Sequence, residues 1–311
     1  MQFKPCLLAD FGATNARLSI TTDGKNYQKE LNLKIENYSS IEILFKDYFA
    51  TLDLPISRAV IGVAAPVITD EIRFINCDFQ FSIKKLKNAI FMDGLEVLND
   101  LALQAHGLEG LSETDFETIG QLKKPLSGPK ILVAPGTGLG MAAIVEGKVI
   151  STEAGHLNIP AKVSKDGLND CIKAFIEIKK RHPTFEDFLS GKGLNFFYSI
   201  LTNQECRLSN EEILNNYKTD SFCLEVKELM NYLYASYLRY MALALGSVGG
   251  VYISGSISES LFLNIDKDKF RLDFEDSETM GVMLQATPLY RITLKDLGFK
   301  GALKLSNLVS C

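Results

Sequence analysis

Two short glycine segments, each directly after an apolar run, are the feature that most constrains the fold of this chain. The first extends from Leu7 to Asn15 and the second from Leu132 to Gly140. A buried strand needs several branched or long apolar residues, and a glycine turn after it lets backbone N–H groups approach an anion closely. The chain is therefore predicted to end a buried strand twice in a turn suited to phosphate.

Polar side chains in these two segments strengthen the phosphate interpretation. Thr14 and Thr137 add hydroxyl donors, and Asp10 places a carboxylate where a magnesium-bound polyphosphate would need a hard oxygen ligand, directly or through water. A glycine turn after a strand is more often structural than phosphate-binding. The weight of the prediction therefore rests on the residues around the two loops.

Composition limits the classes of protein that fit. A chain of 311 residues with 46% hydrophobic content predicts about two domains. A net charge of -5 without a long basic run argues against a nucleic-acid partner. The segment 224–245 carries too many charges to span a membrane. We expect no secretory signal before the Asp10 strand, and six scattered cysteines without metal-ligand spacing favour a reducing, cytoplasmic location.

The first half of the chain reads as a hairpin followed by alternating helices and strands. Asp23-Gly24 predicts a hairpin turn, so the first glycine loop would join two hairpin strands instead of opening a helix. Ser39 with Glu42 resembles a capping box for a helix to about Leu52, and a buried strand is predicted over Arg58–Val67. A further strand at 95–98 would deliver Asn99 and Asp100 to its C-terminal end, where open α/β sheets place their ligands.

The second half repeats this pattern. Strands are predicted at 130–134, 141–145 and 148–151, and another at 249–255 ends in a small-residue turn. Helices are predicted at about 168–180, 185–189, 193–201 and 222–245, the second of them capped by Thr184. Two similar α/β halves predict two lobes with a cleft between them.

These residues together resemble the bacterial glucokinases, in the hexokinase branch of the actin-like ATPase superfamily, nearly from end to end. The first phosphate segment of that family is matched by Asp10, Gly12, Thr14 and Asn15, and the second by the run Gly136 to Gly140. The sugar-site pair is matched by Asn99-Asp100, the Glu-x-Gly-His segment by 153–156, the glutamate before Leu-Ser-Gly by Glu186, and the adenosine segment by 249–255.

The resemblance implies a two-lobed α/β fold of the actin-like, ribonuclease H-like type, with a cleft between a small and a large domain. It implies domains at 1–105, completed by 298–311, and at 106–297. It also implies ATP and Mg²⁺ as cofactors, glucose as the partner and a homodimer. The nucleotide residues implied are Asp10, which would also hold the metal, with Gly12, Thr14, Asn15, Gly136, Thr137, Gly138 and Gly255. The sugar residues implied are Asn76, Asn99, Asp100, Glu153, His156 and Glu186.

Several positions depart from the family pattern. Ala13, Ala154 and Ser256 stand where the family usually has glycine, and Phe79 where it usually has tryptophan. Each of the first three adds a side chain near a ligand, and alanine is costly only if the backbone φ there is positive. In addition, Pro135 lacks an N–H that could have helped at the second loop.

Each candidate residue also has a structural interpretation. Asp100 is predicted to be the general base that accepts the C6 hydroxyl proton, but from pattern alone it could cap the helix from Leu101. Asn99 could be a turn residue, and Glu153 and Glu186 could be solvated surface groups. His156 could donate to or accept from a sugar hydroxyl; it could also bind zinc as in a related family, but the cysteine cluster of such sites is absent from the sequence.

The function predicted is ATP-dependent phosphorylation of D-glucose at the C6 hydroxyl to glucose 6-phosphate, the entry to glycolysis. Two alternatives remain open. The altered glycine positions would suit a sugar-binding regulatory protein with weak or no turnover. A single altered contact could also direct the same hydroxyl-reading residues to another hexose, such as mannose or an amino sugar.

Overall fold

The computed structural model describes residues 3–12, 14–74, 79–121, 123–263 and 265–308. The chain divides into two compact units: unit 1 is Met1–Ser112 with Leu294–Cys311, and unit 2 is Glu113–Thr293. The sequence predicts domain changes at 105/106 and 297/298, a few residues from these bounds. A helix that ends at Gly107 and another that begins at Leu297 both belong to unit 1.

The elements, in chain order, are as follows. The strands are β1 (Cys6–Phe11), β2 (Asn15–Thr21), β3 (Gln28–Lys34), β4 (Arg58–Val63), β5 (Glu71–Arg73), β6 (Gln80–Ser82), β7 (Gly94–Asn99), β8 (Phe116–Thr118), β9 (Lys130–Pro135), β10 (Leu139–Val145), β11 (Lys148–Thr152), β12 (Gly250–Ile253) and β13 (Leu289–Ile292). The α-helices are α1 (Ile41–Ala50), α2 (Ile83–Ala89), α3 (Asp100–Gly107), α4 (Asp166–Lys179), α5 (Phe185–Phe188), α6 (Gly191–Thr202), α7 (Asn210–Asn215), α8 (Ser221–Leu245), α9 (Ser256–Phe262), α10 (Lys267–Glu275), α11 (Gly281–Ala286) and α12 (Leu297–Ser306). Short 3-10 turns lie at Ile35–Asn37, Leu108–Gly110, Ala154–His156 and Asn216–Lys218.

Unit 1 is built on a sheet with the strand order β3-β2-β1-β4-β7. Strands β1, β2 and β3 form the predicted antiparallel start, and β4 and β7 run parallel to β1. In this register Phe11 lies opposite Val63, which lies opposite Asn99. The three parallel strands therefore end at one edge of the sheet, which brings the residues after β1 and β7 to the same side of the unit.

The two faces of this sheet are covered by different parts of the chain. On one face, apolar residues of the strands pack with α1 and α2, as shown by the buried Leu44, Phe45 and Leu86. On the other face, the C-terminal helix α12 contributes Phe299 and Ala302 to a cluster that includes Leu103 of α3. Helix α12 thus completes unit 1 although it is about 190 residues from α3 in sequence.

Unit 2 is built on a sheet with the strand order β11-β10-β9-β12-β13-β8. Strands β9, β10 and β11 are antiparallel neighbours, whereas β12 lies parallel to both β9 and β13. The turn between β10 and β11 uses Glu146 and Gly147 with φ of 51° and 75°, the backbone that a two-residue hairpin turn requires. The hairpin pattern of unit 1 is repeated here, as the sequence predicts.

Helix α8 is the longest element of unit 2 and lies in its core. The side chain of Asp220 caps its start through the N–H groups of Phe222 and Cys223, and Gly246 with a φ of 63° ends it. Its buried charged groups, Lys227 and Arg239, donate to the carbonyls of Leu263 and Asp273 at 2.7 and 2.8 Å. None of the helices in the described part of the chain has the length and apolar character needed to cross a bilayer.

Two local predictions were wrong in detail. Helix α1 is capped by Ser40, whose hydroxyl accepts from the N–H of Ile43, so the capping box expected for Ser39 does not form. The capping-box pattern favours Ser39 because Glu42 follows it by three residues, but either of two adjacent serines can cap a helix and this one begins after Ser40. The strand expected over Arg58–Val67 ends at Val63, opposite the last residues of its partners β1 and β7, and the N–H of Ala65 then turns back to donate to the carbonyl of Val63 at 2.8 Å.

Candidate active site

Asp10 lies near the end of β1, at the sheet edge where the parallel strands of unit 1 terminate. Burial raises the pKa of its carboxyl from 3.8 to about 6, and the nearby Arg17 opposes this shift. Arg17 is the cross-strand partner of Asp10 in the β1–β2 pair, and its guanidinium also donates to the carbonyl of Lys295 at 2.7 Å. Asp10 is therefore a partly desolvated carboxylate with one cationic neighbour.

The first glycine loop is a tight connection between β1 and β2. The N–H of Gly12 donates to the carbonyl of Asn15 at 3.0 Å, and the carbonyl of Thr14 accepts from the N–H of Ile35 at 3.0 Å. The side chains of Thr14 and Asn15 are exposed. Because the Gly12 N–H closes the turn, the exposed side chains of Thr14 and Asn15 are the groups of this loop that we expect to meet a ligand. Ala13 lies outside the described residues.

Asn99 is the last residue of β7, and Asp100 follows it at the same sheet edge. Asn99 caps α3: its side-chain oxygen accepts from the N–H groups of Leu101 and Ala102 at 2.9 and 3.2 Å, and its amide donates to the carbonyl of Ala65 at 3.4 Å. Asp100 is the first residue of α3, and its Oδ1 accepts from the N–H of Leu101 at 2.9 Å. The capping role that the sequence allows for Asp100 thus belongs to Asn99.

The second glycine loop, in unit 2, joins β9 to β10. The N–H of Gly136 donates to the carbonyl of Gly138 at 2.8 Å, and the carbonyl of Gly136 accepts from the N–H of Gly191 at 3.1 Å. As in the first loop, the amide of the first glycine serves the turn itself. Thr137 at the tip is exposed, so its hydroxyl can meet a phosphate oxygen.

Glu186 lies over this second loop. Its Oε2 accepts from the N–H of Leu139 at 2.9 Å. A Cβ atom placed on Gly138 would lie 2.6 Å from the same oxygen, closer than real Cβ contacts. The structure therefore gives Gly138 a role that the sequence pattern does not predict: glycine leaves the space that the Glu186 carboxylate occupies.

Glu153, His156 and Glu186 come together in unit 2. The Nε2 of His156 is 3.9 Å from Oε2 of Glu153, and its Nδ1 is 4.0 Å from Oε1 of Glu186. Desolvation raises the pKa of Glu153 above its ordinary value; His156 opposes the shift and Glu186 adds to it. All three side chains are between one-third and about one-half exposed, so this acidic and imidazole cluster can present acceptors and a donor to hydroxyl groups.

Gly255 and Ser256 follow β12, beside the second loop. Gly255 has a φ of 90°, and a Cβ there would lie 2.5 Å from the carbonyl oxygen of Pro135. Glycine is thus required for this close approach. Ser256 is an exposed residue at the start of α9. Its hydroxyl would lie 3.7 Å from a Cβ atom placed on Gly136. The adenosine-type segment and the phosphate-type loop are therefore direct neighbours.

The predicted residues thus fall into two groups. Unit 1 carries Asp10, the first glycine loop, Asn99 and Asp100 at one sheet edge, and unit 2 carries the second loop, the 153–156 segment, Glu186 and Gly255. Asn76 lies outside the described residues. Thr184 caps α5 as predicted, and its capping box with Asp187 fixes the helix that bears Glu186.

The remaining histidines have structural surroundings, and Cys6, Cys171 and Cys223 are buried free thiols. His182 makes a 2.7 Å hydrogen bond between its Nε2 and the carbonyl of Ile159. Burial lowers the pKa of His106, with a smaller effect in the same direction from Lys304. Among the residues that the structure describes, no group of three or more His, Cys, Asp or Glu side chains is arranged to hold a metal ion.

One neighbour of the site was not predicted from the sequence. Gly298, near the start of α12, faces the carboxylate of Asp10, and a Cβ there would clash with Oδ2 of that residue. The two residues are 288 positions apart in sequence, and no local pattern marks the glycine. Only the packing of α12 onto the sheet of unit 1 brings them together.

The fold is that of known sugar kinases. A solved structure of a glucokinase from an Antarctic psychrotroph superposes with a TM-score of 0.82 at 24% identity, covering 99% of this chain and 100% of that one. The glucokinase of Balamuthia mandrillaris, solved in complex with glucose, also gives a TM-score of 0.82, at 18% identity over 98% of this chain and 94% of that one. The chain therefore has the two-lobed actin-like ATPase fold of this class of sugar kinase.

Sequence comparison defines the family. The family model for glucokinase matches residues 7–307. The glucokinase of Chromobacterium violaceum is 32% identical over 301 residues, which cover 93% of this chain and 85% of that relative. The chain belongs to the glucokinase family.

This membership confirms the predicted fold class and the predicted activity, an ATP-dependent phosphorylation of glucose. Nothing in the comparisons favours a regulatory protein without turnover or a kinase for another hexose. The roles of individual residues stay predictions.

Proposed function

We propose that the chain transfers the γ-phosphoryl group of Mg²⁺-ATP to the C6 hydroxyl of D-glucose, with Asp100 as the general base. The observation that carries the assignment of the base is the division of roles after β7. Asn99 supplies the side-chain cap of α3, so a carboxylate is not required at position 100 to start the helix. We therefore assign the acid at that position to the reaction, although its Oδ1 also accepts from the N–H of Leu101.

Phosphoryl transfer depends chiefly on positioning and on charge neutralisation. A carboxylate within hydrogen-bond distance of the C6 hydroxyl orients an oxygen lone pair toward the γ-phosphorus and accepts the proton as the bond to phosphorus forms. Asp100 has this role in the proposal. Asn99, beside it, donates to a neighbouring sugar hydroxyl through its amide group.

The remaining sugar contacts are assigned to Glu153, His156 and Glu186. The imidazole of His156 lies 3.9 Å from the carboxylate of Glu153 and 4.0 Å from that of Glu186, and all three side chains are partly exposed. Two carboxylates and an imidazole offer several acceptors and a donor, the set that adjacent ring hydroxyls require. Asn76 is assigned to the same site on the family resemblance.

The nucleotide is assigned to the two glycine loops and the turn after β12. Thr14 and Thr137 would donate to phosphate oxygens, with Asn15 and the backbone of Gly12, Gly136 and Gly138 beside them. Gly255 would allow the adenosine portion to approach the end of β12. In this arrangement the Thr14 and Thr137 hydroxyls donate to the phosphate groups and the exposed Asn15 side chain lies beside them.

Asp10 is the residue assigned to hold Mg²⁺, directly or through water. Magnesium is commonly held by one or two carboxylates together with water and substrate phosphates, so a single acidic side chain beside a phosphate loop fits its requirements. When bound, the ion would neutralise charge on the β- and γ-phosphates. The contribution of this chain is the desolvated oxygen ligand at the end of β1.

We also propose that the protein acts in the cytoplasm at the entry to glycolysis and that it is a homodimer, as the family resemblance implies. Sedimentation velocity at several protein concentrations would test the dimer. A single species at the mass of a 34.5 kDa chain would contradict it.

The reaction is tested by identifying its product. The protein is incubated with Mg²⁺-ATP and D-glucose, and glucose 6-phosphate is detected with a dehydrogenase specific for that product. 6-Deoxyglucose, which lacks the acceptor hydroxyl, serves as the matched control and should give no phosphorylated sugar. Phosphorylation at another position, or a preference for mannose or N-acetylglucosamine over glucose, would contradict the proposal.

A further inference from the structure

The carboxylate of Glu186 contacts two parts of unit 2 that the proposed function assigns to different substrates. We infer that Glu186 is a positioning residue as well as a sugar ligand: by holding the peptide of Leu139, it couples occupancy of the sugar site to the conformation of the second phosphate loop. This inference rests on the proposed function, because it takes the loop 136–138 as the phosphate site and the 153–156 segment as part of the sugar site.

The first half of the coupling is the contact between Glu186 and the loop. Oε2 accepts from the N–H of Leu139 at 2.9 Å, and it would lie 2.6 Å from a Cβ atom placed on Gly138. The bond is charge-assisted, a kind that is shorter and stronger than a neutral hydrogen bond. The carboxylate thus lies on the backbone where the loop enters β10, and it cannot move without releasing that N–H.

The second half is the contact between Glu186 and the sugar segment. Oε1 is 4.0 Å from Nδ1 of His156, and Gly155 lies so close to the carbonyl of Leu139 that any Cβ on it would clash. The peptide groups on the two sides of Leu139 are therefore in contact with residues of the sugar site: Glu186 at its N–H and Gly155 at its carbonyl. A shift of either sugar residue must move Leu139 or break the contact.

The loop transmits such a shift to the phosphate-binding tip. Gly138 accepts from the N–H of Gly136 at 2.8 Å, and Gly136 in turn accepts from the N–H of Gly191 at the start of α6. Thr137 lies between the two bonded glycines. A displacement at Leu139 therefore changes the position of the Thr137 hydroxyl, the group assigned to the transferring phosphates.

The backbone that carries Glu186 is held in place, so the side chain extends from a fixed position. Thr184 caps α5 through a box with Asp187, and the N–H of Phe185 donates to the carbonyl of Leu157 at 2.9 Å. Asp187 is further held by two hydrogen bonds of 2.7 Å from Arg181. Because the backbone at 184–187 is fixed on both sides, movement of Glu186 is limited to its own side chain.

Coupling between two binding sites is reciprocal. Glucose that donates a hydroxyl to Glu186 fixes the carboxylate and hence the loop, so glucose should tighten the binding of the nucleotide, and the nucleotide should tighten the binding of glucose by the same factor. Couplings of this kind commonly change affinity about fivefold or more.

Two conservative variants separate the length of the side chain from its charge. Glu186→Asp keeps the charge but is one methylene shorter, so it cannot reach the Leu139 N–H from the same backbone. Glu186→Gln loses the charge but keeps an oxygen at the right length to accept that hydrogen bond. Glu177→Gln, an exposed glutamate on α4, is the control for a surface change in unit 2.

The experiment measures the Kd of Mg²⁺ with the non-hydrolysable analogue AMPPNP by calorimetry, with and without glucose, in the wild type and each variant. We expect glucose to lower this Kd about fivefold or more in the wild type and Glu177→Gln. Glu186→Gln should retain most of that factor although its KM for glucose rises, and Glu186→Asp should lose it. The reverse order, with Glu186→Asp coupled and Glu186→Gln uncoupled, would overturn the inference, because charge alone would then explain the effect.

A second measurement needs no ligand and no activity. Amide hydrogen exchange at Leu139 in the free protein should be about tenfold faster in Glu186→Asp than in the wild type and nearly unchanged in Glu186→Gln, because exchange reports the loss of that hydrogen bond. Equal exchange in all three proteins would overturn the inference. Failure of the proposed function is distinguishable, since it would appear as a wild-type protein that does not phosphorylate glucose.

Discussion

Gly298 at the start of α12 lies directly against the carboxylate of Asp10 at the end of β1. The contact joins the last helix of the chain to its first strand within unit 1. It gives this glycine a function in positioning the residue assigned to the metal, although Gly298 is remote from Asp10 in sequence.

Gly298→Ala should therefore impair catalysis strongly, although the substitution adds only one methyl group. The added methyl group cannot fit unless Asp10 moves, and a small misplacement of a group that holds a reactant can reduce the rate on the order of 10²-fold. We expect kcat/KM for Mg²⁺-ATP to fall by about that factor, with an overpacking cost of about 1–3 kcal/mol in the free energy of unfolding. Steady-state kinetics and denaturant titration measure the two effects.

The control for this variant is Gly281→Ala, at the first residue of α11, where an added Cβ meets nothing within 4 Å. It should leave both quantities almost unchanged. An active Gly298→Ala enzyme with wild-type KM for ATP would show that the carboxylate of Asp10 need not stay where α12 now holds it.

The burial of Asp10 predicts a pH dependence of stability. Its folded pKa of about 6 lies above the ordinary value of 3.8, so between these two pH values the unfolded chain has lost a proton that the folded protein still binds. The contribution of Asp10 to the free energy of unfolding is therefore most favourable below pH 3.8, and it is lost as the pH rises toward 6. Above about pH 6 the carboxyl is ionised in both states, and the folded protein bears the full cost of burying that charge.

Asp10→Asn removes the penalty. In magnesium-free buffer, the free energy of unfolding of the variant relative to the wild type should increase between pH 4 and pH 7 by on the order of 2 kcal/mol. Urea titrations at several pH values measure this difference, and Asp53→Asn, whose side chain is 95% exposed, is the control. The same Asp10→Asn protein should lose magnesium-dependent turnover. A variant that is less stable than the wild type at pH 7 would contradict this prediction.

Ser256 provides a test of the nucleotide assignment. Its hydroxyl lies near Gly136 of the second phosphate loop, at a position where the family usually has glycine. If that hydroxyl donates to the nucleotide, Ser256→Ala should raise the KM for ATP about two- to fivefold, the effect of one ordinary hydrogen bond, with little change in the KM for glucose. Ser256→Thr, which keeps a hydroxyl, should retain a lower KM than the alanine variant. Identical KM values for ATP in all three proteins would remove Ser256 from the nucleotide site.

Much of this fold follows from sequence pattern because its elements are locally marked. The apolar runs before the two glycine loops predict β1 and β9, and Thr184 predicts the start of α5. Each of these signals involves only residues that are close together in the sequence. The strand that delivers Asn99 and Asp100 is also predicted from its neighbours alone. The cap of α1 is not, because the capping-box pattern points to Ser39 with Glu42 whereas the helix begins one residue later, after Ser40.

The contacts that organise the site are less accessible from sequence. The bond from Leu139 to Glu186 spans 47 residues, and the approach of Gly298 to Asp10 depends on where α12 packs. The sequence also does not show that the Gly12 and Gly136 amides close their own turns, because it does not give the direction of a backbone N–H. Such features arise from tertiary packing, which residue spacing alone does not encode.

The general base is tested most directly by the rate of glucose-dependent ADP release from Mg²⁺-ATP in the wild type, in Asp100→Asn, and in the control Asp93→Asn, whose residue forms a surface ion pair with Lys4. Loss of a general base typically costs 10²- to 10⁴-fold. We predict that kcat of Asp100→Asn falls by about that factor while α3, capped by Asn99, remains folded and the Asp93→Asn enzyme keeps its activity. An Asp100→Asn enzyme that phosphorylates glucose at the wild-type rate would contradict the assignment of Asp100 as the base.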